Sequence, residues 1–306
     1  MDAREEVTLE TLEARLTALL PQEYQDAYED VEPVPMGSAG LKFGPDGKVA
    51  WNEIWQSFCD LAMAGGPPHK GLLLRPGRAE AIAAEPDRYN EVAQEICRGV
   101  TLATGLPADP STSSGWIDVG CDSDGMTAWL LRAVTMENVS ARADGTVLQL
   151  PAGPAYRLDK EIKNVVTVIA KTCHYWSGHM WRFEQRAIAD LFAAMEAESP
   201  LLAPAADANL DAAEPPAQWV SVRQTLAAAT ELPVATFRYP DWIGVTCPSV
   251  RAAVWMMRMM VASNVLARRE NTELLLPVNA AADPDGKALA DRLSRVARFA
   301  AGKALL

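Results

Sequence analysis

The feature that most constrains the fold is a long stretch of sequence that occurs twice. When the chain is shifted by 126 residues against itself, residues 116–151 align with residues 242–277 without a gap, and 15 of the 36 pairs are identical. Composition alone would give roughly two or three matches in such a window. The identical pairs include Trp116 with Trp242, Cys121 with Cys247, Trp129 with Trp255, Arg132 with Arg258, Asn138 with Asn264, Arg142 with Arg268 and Pro151 with Pro277. This repeat indicates an internal duplication.

Each copy predicts the same order of elements. The segments "EVAQEICRGVTLATGL" and "VSVRQTLAAATEL" have helical periodicity, "GWIDVGC" and "DWIGVTC" resemble strands, and a second helix follows in both copies. Asp144-Gly145 then predicts a hairpin, with "RENT" at the same point of the second copy, and a last helix follows at about 158–182 and 285–302. We therefore predict an α+β fold: an internally duplicated α-β-α-β-β-α unit with pseudo-twofold symmetry, plus an N-terminal helical extension.

The domain boundaries follow from this repeat and from local composition. We predict an N-terminal helical extension over 1–66, a first repeat with a long polar helix over 67–198, a linker over 199–216 and a second repeat over 217–306. The linker prediction depends on a Pro-, Ala- and Asp-rich stretch without periodicity. The segment "GGPPHKGLLLRPG" has no counterpart in the second copy, and its turn places His69 and Lys70 before an apolar strand, where they could bind a ligand or be solvated.

Charge and cysteine content make several classes of function unfavourable. The net charge is −12 with a pI near 4.8, so nucleic acid and anionic membrane surfaces would be repelled. No apolar stretch reaches 18 residues, and the acidic N-terminus lacks the features of a signal peptide, so we expect a soluble, cytoplasmic protein. Five widely spaced cysteines without a Cys-x-x-Cys motif predict reduced, mostly buried thiols.

Most residues shared by the copies have a structural interpretation. Asn138 and Asn264 stand where the second helix of each copy must end, and Asn tolerates the left-handed conformation found there. Trp129 and Arg132 lie three residues apart, so they share a helix face in the core or at an interface. The four methionines at 256, 257, 259 and 260 predict adaptable core packing.

The copies differ most in their last helix. The second copy has an Ala-rich amphipathic helix, whereas the first has "YRLDKEIKNVVTVIAKTCHYWSGHMW". On a helical wheel its polar residues form one row: Lys160, Asn164, Thr167, Lys171 and His174. This row, with Arg157 just upstream, could hold a polar or anionic ligand. It could equally be the solvent-facing side of a surface helix.

Two of the three histidines, His174 and His179, lie close together among aromatic residues. Their five-residue spacing differs from the four-residue spacing that places two metal ligands on one helix face. Adjacent Cys173 and His174 point to different faces. We therefore assign no metal ligands, and the sequence indicates no particular cofactor. Dinucleotide-binding, P-loop, α/β-hydrolase and EF-hand motifs are all lacking.

Three functional hypotheses remain open, and the sequence does not decide whether the chain is an enzyme. The first is a protein that binds a polar, anionic small molecule at the junction of two halves. Its ligand-binding residues would be Arg132, Arg142, Arg157, Lys163, Asn164 and Lys70, and its catalytic residues would be His174, His69 and Lys171. The second is a non-catalytic accessory or maturation protein that docks a protein partner through an aromatic-rich surface, because nine Trp is a high number for this length. The third is a metalloenzyme with Cys and His ligands.

Overall fold

The computed structural model describes residues 7–22, 25, 41–53, 71–206, 210 and 212–306. Its helices are α1 (Leu9–Ala18), α2 (Ala79–Ala84), α3 (Pro86–Thr104), α4 (Asp124–Met136), α5 (Lys163–Gly178), α6 (Arg182–Glu198), α7 (Ala217–Ala229), α8 (Val250–Ala262) and α9 (Lys287–Gly302), and a π-helical turn (Leu158–Ile162) leads into α5. Its strands are β1 (Ala108–Pro110), β2 (Trp116–Gly120), β3 (Arg142–Asp144), β4 (Val147–Pro151), β5 (Trp242–Thr246), β6 (Arg268–Glu270) and β7 (Glu273–Pro277). The predicted α+β class is confirmed.

The described chain divides into two compact units. The first unit contains α2 to α5 and β1 to β4, and the second contains α1, α7 to α9 and β5 to β7. The division falls within α6, between Ala189 and Asp190. The described part of the predicted linker, 199–216, therefore belongs to the second unit.

A four-stranded antiparallel sheet with the order β1-β2-β4-β3 forms the centre of the first unit. Because side chains alternate between the faces of a strand, one face of β2 and β4 is apolar. Its side chains are completely buried: Ile117, Val119, Leu148 and Leu150. Helices α3 and α4 contact this sheet, so the alternation predicted in "GWIDVGC" supplies part of the core.

The second unit contains a three-stranded antiparallel sheet with the order β5-β7-β6. Its central pair runs from Trp242 opposite Pro277 to Thr246 opposite Glu273. The buried apolar side chains on one face are Ile243, Val245, Leu274 and Leu276. Val234 makes an isolated antiparallel bridge with Val245, on the side of β5 where β1 pairs with β2 in the first unit.

Residues identical in the two copies begin and end α4 and α8. The hydroxyls of Ser123 and Ser249 accept hydrogen bonds from the third backbone N–H beyond them, as N-caps do. Asn138 and Asn264 then adopt positive φ angles of 61° and 56°. The prediction that these asparagines occupy the left-handed position after a helix is confirmed. The predicted hairpins also form, as β3–β4 and β6–β7.

Each asparagine also holds an extended segment against its unit. Asn138 Nδ2 donates to the Gly71 carbonyl (2.9 Å), and Leu74 makes a parallel bridge with Val139. In the second unit, Asn264 Nδ2 donates to the Ser199 carbonyl (2.9 Å). There, Leu202 makes a parallel bridge with Val265. The segment that precedes the first copy thus has a structural counterpart at 199–203, which sequence alignment without gaps did not find.

The last helix of the first copy is shorter than predicted. It was predicted over about 158–182, but α5 ends at Gly178 and α6 begins separately at Arg182. The N–H of Trp181 donates to Glu184 Oε2 (2.6 Å), which satisfies a backbone group at the start of α6.

In the described part of the chain, no helix has both the length and the hydropathy that crossing a membrane requires.

Candidate functional site

The polar row of α5 lies mostly inside the first unit. Lys171 Nζ is 2.7 Å from Glu137 Oε1 at the end of α4, and the two side chains are only 6% and 8% exposed. Thr167 is also buried, whereas Lys160 at the start of the row is exposed. The interpretation of this row as a solvent-facing side is therefore wrong at its centre. The Lys171 ammonium is also neutralised by a carboxylate, which makes it a poor anion-binding group.

The other cations predicted to bind a ligand lie in differing environments. Arg132 is buried in α4 and its Nη1 donates to the Ala128 carbonyl (2.9 Å). Arg157 is exposed, with Nε 3.4 Å from Glu161 Oε2. Lys163 is buried, and its removal from water lowers the pKa of its ammonium group. Asn164, next to Lys163 on α5, is partly exposed. Arg132 and Arg157 each contact a residue four positions away in the sequence.

The face of the first sheet opposite its apolar core is polar and partly exposed. Asp118 on β2, Gln149 on β4 and Arg142 on β3 stand directly beside one another. Gln149 Nε2 donates to Asp118 Oδ1 (2.8 Å) and to Ser111 Oγ (3.0 Å). The Arg142 guanidinium lies 4.2 Å from the centre of the Trp116 ring, a cation–π geometry. Asp118, Gln149 and Arg142 are called the polar face below, and the Trp116 ring next to Arg142 is buried.

The corresponding positions of the second sheet are buried. Gly244, Leu275 and Arg268 replace Asp118, Gln149 and Arg142 in the aligned copy, and all three of these replacements are buried. The same row of the fold is therefore covered in the second unit and open in the first.

Residues of the second unit itself cover that row. The Arg268 guanidinium lies over the rings of Tyr239 (4.7 Å) and Trp242 (4.8 Å). Its Nη1 is 2.6 Å from Glu270 Oε1, which also accepts a hydrogen bond from the Tyr239 hydroxyl (2.8 Å). Burial lowers the pKa of Arg268, and the Glu270 carboxylate opposes that shift. Arg268 thus lies in the interior of its unit, whereas Arg142 is partly exposed.

The sequence analysis predicted Arg142 but did not predict Asp118 or Gln149. A usable signal was present, because both positions lie inside the aligned repeat and are polar in one copy only. Asp118 aligns with Gly244, and Gln149 aligns with Leu275.

The two histidines of the α5–α6 region meet side by side. His174 Nε2 and His179 Nε2 are 2.9 Å apart, and the ring centroids are 4.7 Å apart. The prediction that five-residue spacing separates them is wrong, because α5 ends at Gly178 and His179 occupies the C-cap. A chain that leaves the helix at this point can return its side chain to the preceding turn. Both rings are partly exposed.

Most tryptophans lie in the core. Of the eight that the structure describes, seven are at most 9% exposed, and Trp181 is 71% exposed. Trp176, predicted to flank a site, packs against Trp129 with ring centroids 5.8 Å apart. The expectation of an aromatic-rich surface is therefore wrong for the described tryptophans other than Trp181, which has the exposed Phe183 two residues away.

The described cysteines are suited to packing. Cys97, Cys173 and Cys247 are buried and Cys121 is partly buried, and all four are free thiols, as predicted. Burial raises the pKa of Cys97 to about 12 and that of Cys247 to about 11. It also raises the pKa values of Cys121 and Cys173. At neutral pH these thiols are protonated and therefore weak nucleophiles.

Among the described residues, no group of three or more His, Cys, Asp or Glu side chains could hold a metal ion. The predicted residues His69 and Lys70 lie outside the described residues.

None of the known protein families, curated proteins or solved structures to which the chain was compared matches it.

Proposed function

We propose that this chain is a non-catalytic accessory protein that binds a partner protein at its polar face. The observation that carries the proposal is the partial exposure of Asp118, Gln149 and Arg142, where the aligned row of the second sheet is buried. The second unit covers that row with its own residues. In the first unit the row is left for a binding partner.

The shape of the polar face favours a polypeptide over a small molecule. Small-molecule sites are concave and enclose most of the ligand, whereas this site lies on the side of an antiparallel sheet. Beside it, β3 is the outermost strand of its sheet, and Ala143 and Asp144 are exposed. An outermost strand offers backbone N–H and C=O groups to an extended segment. Side chains of the polar face would then set specificity.

The charge of the site favours a basic partner. Asp109 and Asp118 are directly opposite each other on β1 and β2, and Asp144 lies on the same side of the sheet. Arg142 is the cation of this row. The whole chain carries a net charge of −12, so its long-range field attracts a basic segment. Binding should therefore weaken as ionic strength rises.

The hypothesis of an anion-binding enzyme has less support. Lys171, predicted to take part in catalysis, forms a buried ion pair with Glu137. Arg132 is buried, and Arg157 pairs with Glu161 at the surface. Of the cations predicted to bind a ligand, Arg142 is partly exposed on the sheet, whereas Lys171 and Arg132 are buried.

The experiment compares two variants with the same type of substitution. In the first variant, Gln149→Leu places on β4 the leucine that the second sheet has at the aligned position, Leu275. Arg142→Met in the same variant removes the positive charge but keeps an apolar side chain over the Trp116 ring. Arg157→Met is the control, because it removes an exposed arginine of the same unit that precedes the π-helical turn and is not part of the sheet. Proteins captured by the immobilised chain would be identified and their affinities measured for all three forms.

We expect one captured protein to bind the wild type and Arg157→Met equally, and the double variant at least tenfold more weakly. Its addition should also slow amide hydrogen exchange in β2, β3 and β4. Equal binding to all three forms would refute the proposal. A metabolite that raises Tm of the wild type but not of the double variant would replace it with the small-molecule hypothesis.

We also propose that the two units are copies of one α-β-α-β-β-α unit, and that their pseudo-twofold relation makes Arg142 and Arg268 equivalent. Support comes from the 15 identical pairs and from the strand register, in which Trp116 faces Pro151 and Trp242 faces Pro277. Each unit fused to a monomeric carrier should fold independently and cooperatively. Failure of both to fold alone would contradict the duplication of a complete folding unit.

A further inference from the structure

The C-terminal end of α5 brings two histidine rings together, at residues that are not part of the polar face. The helix ends at Gly178, and the N–H of His179 donates to the Tyr175 carbonyl (3.2 Å). This C-cap turns the chain so that the His179 ring returns to His174. The rings are inclined at 72°, with Nε2 atoms 2.9 Å apart.

The geometry points to a divalent transition-metal site formed by His174 Nε2 and His179 Nε2. The 2.9 Å between the two Nε2 atoms is a hydrogen-bond distance, at which one ring N–H donates to the other ring nitrogen. On a tetrahedral zinc with Zn–N distances of about 2.0–2.1 Å, two ligand nitrogens lie about 3.3–3.4 Å apart. Binding one ion together would therefore replace the shared proton with the metal and move the two Nε2 atoms apart by about 0.4–0.5 Å.

Exposure and ring chemistry define the class of metal. Neutral imidazole suits Zn²⁺, Ni²⁺ and Cu²⁺, whereas Mg²⁺ and Ca²⁺ prefer oxygen ligands. Because both rings are partly exposed, an ion can enter from solvent. No third His, Cys, Asp or Glu joins the pair among the described residues. Water, or a group that arrives with a ligand, would fill the remaining coordination positions.

Gly178 is part of this arrangement. A Cβ added at this position would lie 3.2 Å from His174 Cε1 and 3.3 Å from His174 Nδ1. Contacts this short are tighter than usual, so a side chain at 178 would move the His174 ring. Glycine therefore leaves room for His174 to face His179, although the backbone at this position is helical.

The test measures Zn²⁺ binding by calorimetry on the full chain after treatment with a chelator. We expect one equivalent of Zn²⁺ to bind the wild type. His174→Asn and His179→Asn should each weaken binding at least tenfold, and Gly178→Ala should weaken it several-fold. His69→Asn, which changes the only other histidine, is the matched control and should bind within twofold of the wild type.

A spectroscopic measurement distinguishes loss of ligands from loss of fold. In ¹H–¹⁵N spectra of the imidazoles, Zn²⁺ should shift the Nε2 resonances of His174 and His179, while the backbone spectra of the variants stay unchanged. The inference is overturned if Zn²⁺ binds the wild type and the His174→Asn/His179→Asn double variant equally, or if neither Nε2 resonance shifts. Neither result would bear on the polar face, which lies on the sheet.

Discussion

Replacing Lys171 by Met should destabilise the first unit strongly, and the size of the effect can be worked out from its ion pair. The Nζ–Oε1 distance of 2.7 Å corresponds to an attraction of about 6 kcal/mol at an effective dielectric constant of about 20. The variant does not lose all of this, because the Glu137 carboxylate can take up a proton. From the ordinary glutamate pKa, that protonation costs about 4 kcal/mol at pH 7. We therefore expect the free energy of unfolding to fall by about 3–4 kcal/mol.

The stability lost in Lys171→Met should depend on pH. In the variant the buried Glu137 would have a raised pKa, so the folded state binds a proton that the unfolded state releases above about pH 4.3. The penalty then grows with pH, from about 1 kcal/mol at pH 5 to the full value at pH 7. Urea unfolding of both forms, followed by circular dichroism at the two pH values, measures this difference.

Two controls make the test specific. Lys160→Met removes the exposed lysine of the same row and should cost less than about 0.5 kcal/mol. Glu137→Leu combined with Lys171→Met should recover most of the loss, because an apolar pair can replace a buried ion pair. A loss below about 1 kcal/mol at pH 7, or an equal loss at both pH values, would refute the reasoning.

Arg268→Met should lower the free energy of unfolding by about 1.5–3 kcal/mol, because Glu270 loses one charged hydrogen-bond partner but keeps its ion pair with Arg238 (3.0 Å). Arg142→Met should cost about 1 kcal/mol or less. Equal losses in urea unfolding would contradict the assignment of one arginine to the interior and the other to the surface. Burial raises the pKa of Cys247 to about 11, so its alkylation by iodoacetamide at pH 8 should be more than about a hundredfold slower in the folded chain than in urea, and should accelerate as pH rises towards that pKa. Peptide mapping after timed labelling measures this rate, and comparable rates in the two states would count against the burial.

Local features of the fold were predictable from sequence because short-range rules specify them. The alternation around Ile117 gave the buried face of a strand, and Asn138 and Asn264 gave the ends of two helices. The hairpins followed from turn residues between short β-prone runs. The predicted extent of the last helix of the first copy was wrong, although the Ser177-Gly178 dipeptide, which is typical of turns, stands where α5 ends.

The candidate site was predictable only in part. Arg142 was predicted as a ligand-binding residue, but its identity with Arg268 in the aligned copy could not show that Arg268 is buried while Arg142 is partly exposed. The five-residue spacing of His174 and His179 places them on different faces of an ideal helix. The two rings nevertheless meet, because α5 ends at Gly178.

By itself the sequence determined the α+β class, the two hairpins and the asparagines that follow α4 and α8, because helix periodicity, strand alternation and turn residues act over a few neighbouring positions. Strand β1 was not predicted. Tertiary structure alone decided which polar groups are in the interior. Lys171 meets Glu137 across 34 residues of chain, and Tyr239 meets Glu270 across 31. Such pairings depend on how helices and strands pack in three dimensions, and the desolvation of each charge then determines whether it stabilises the fold or remains available for binding.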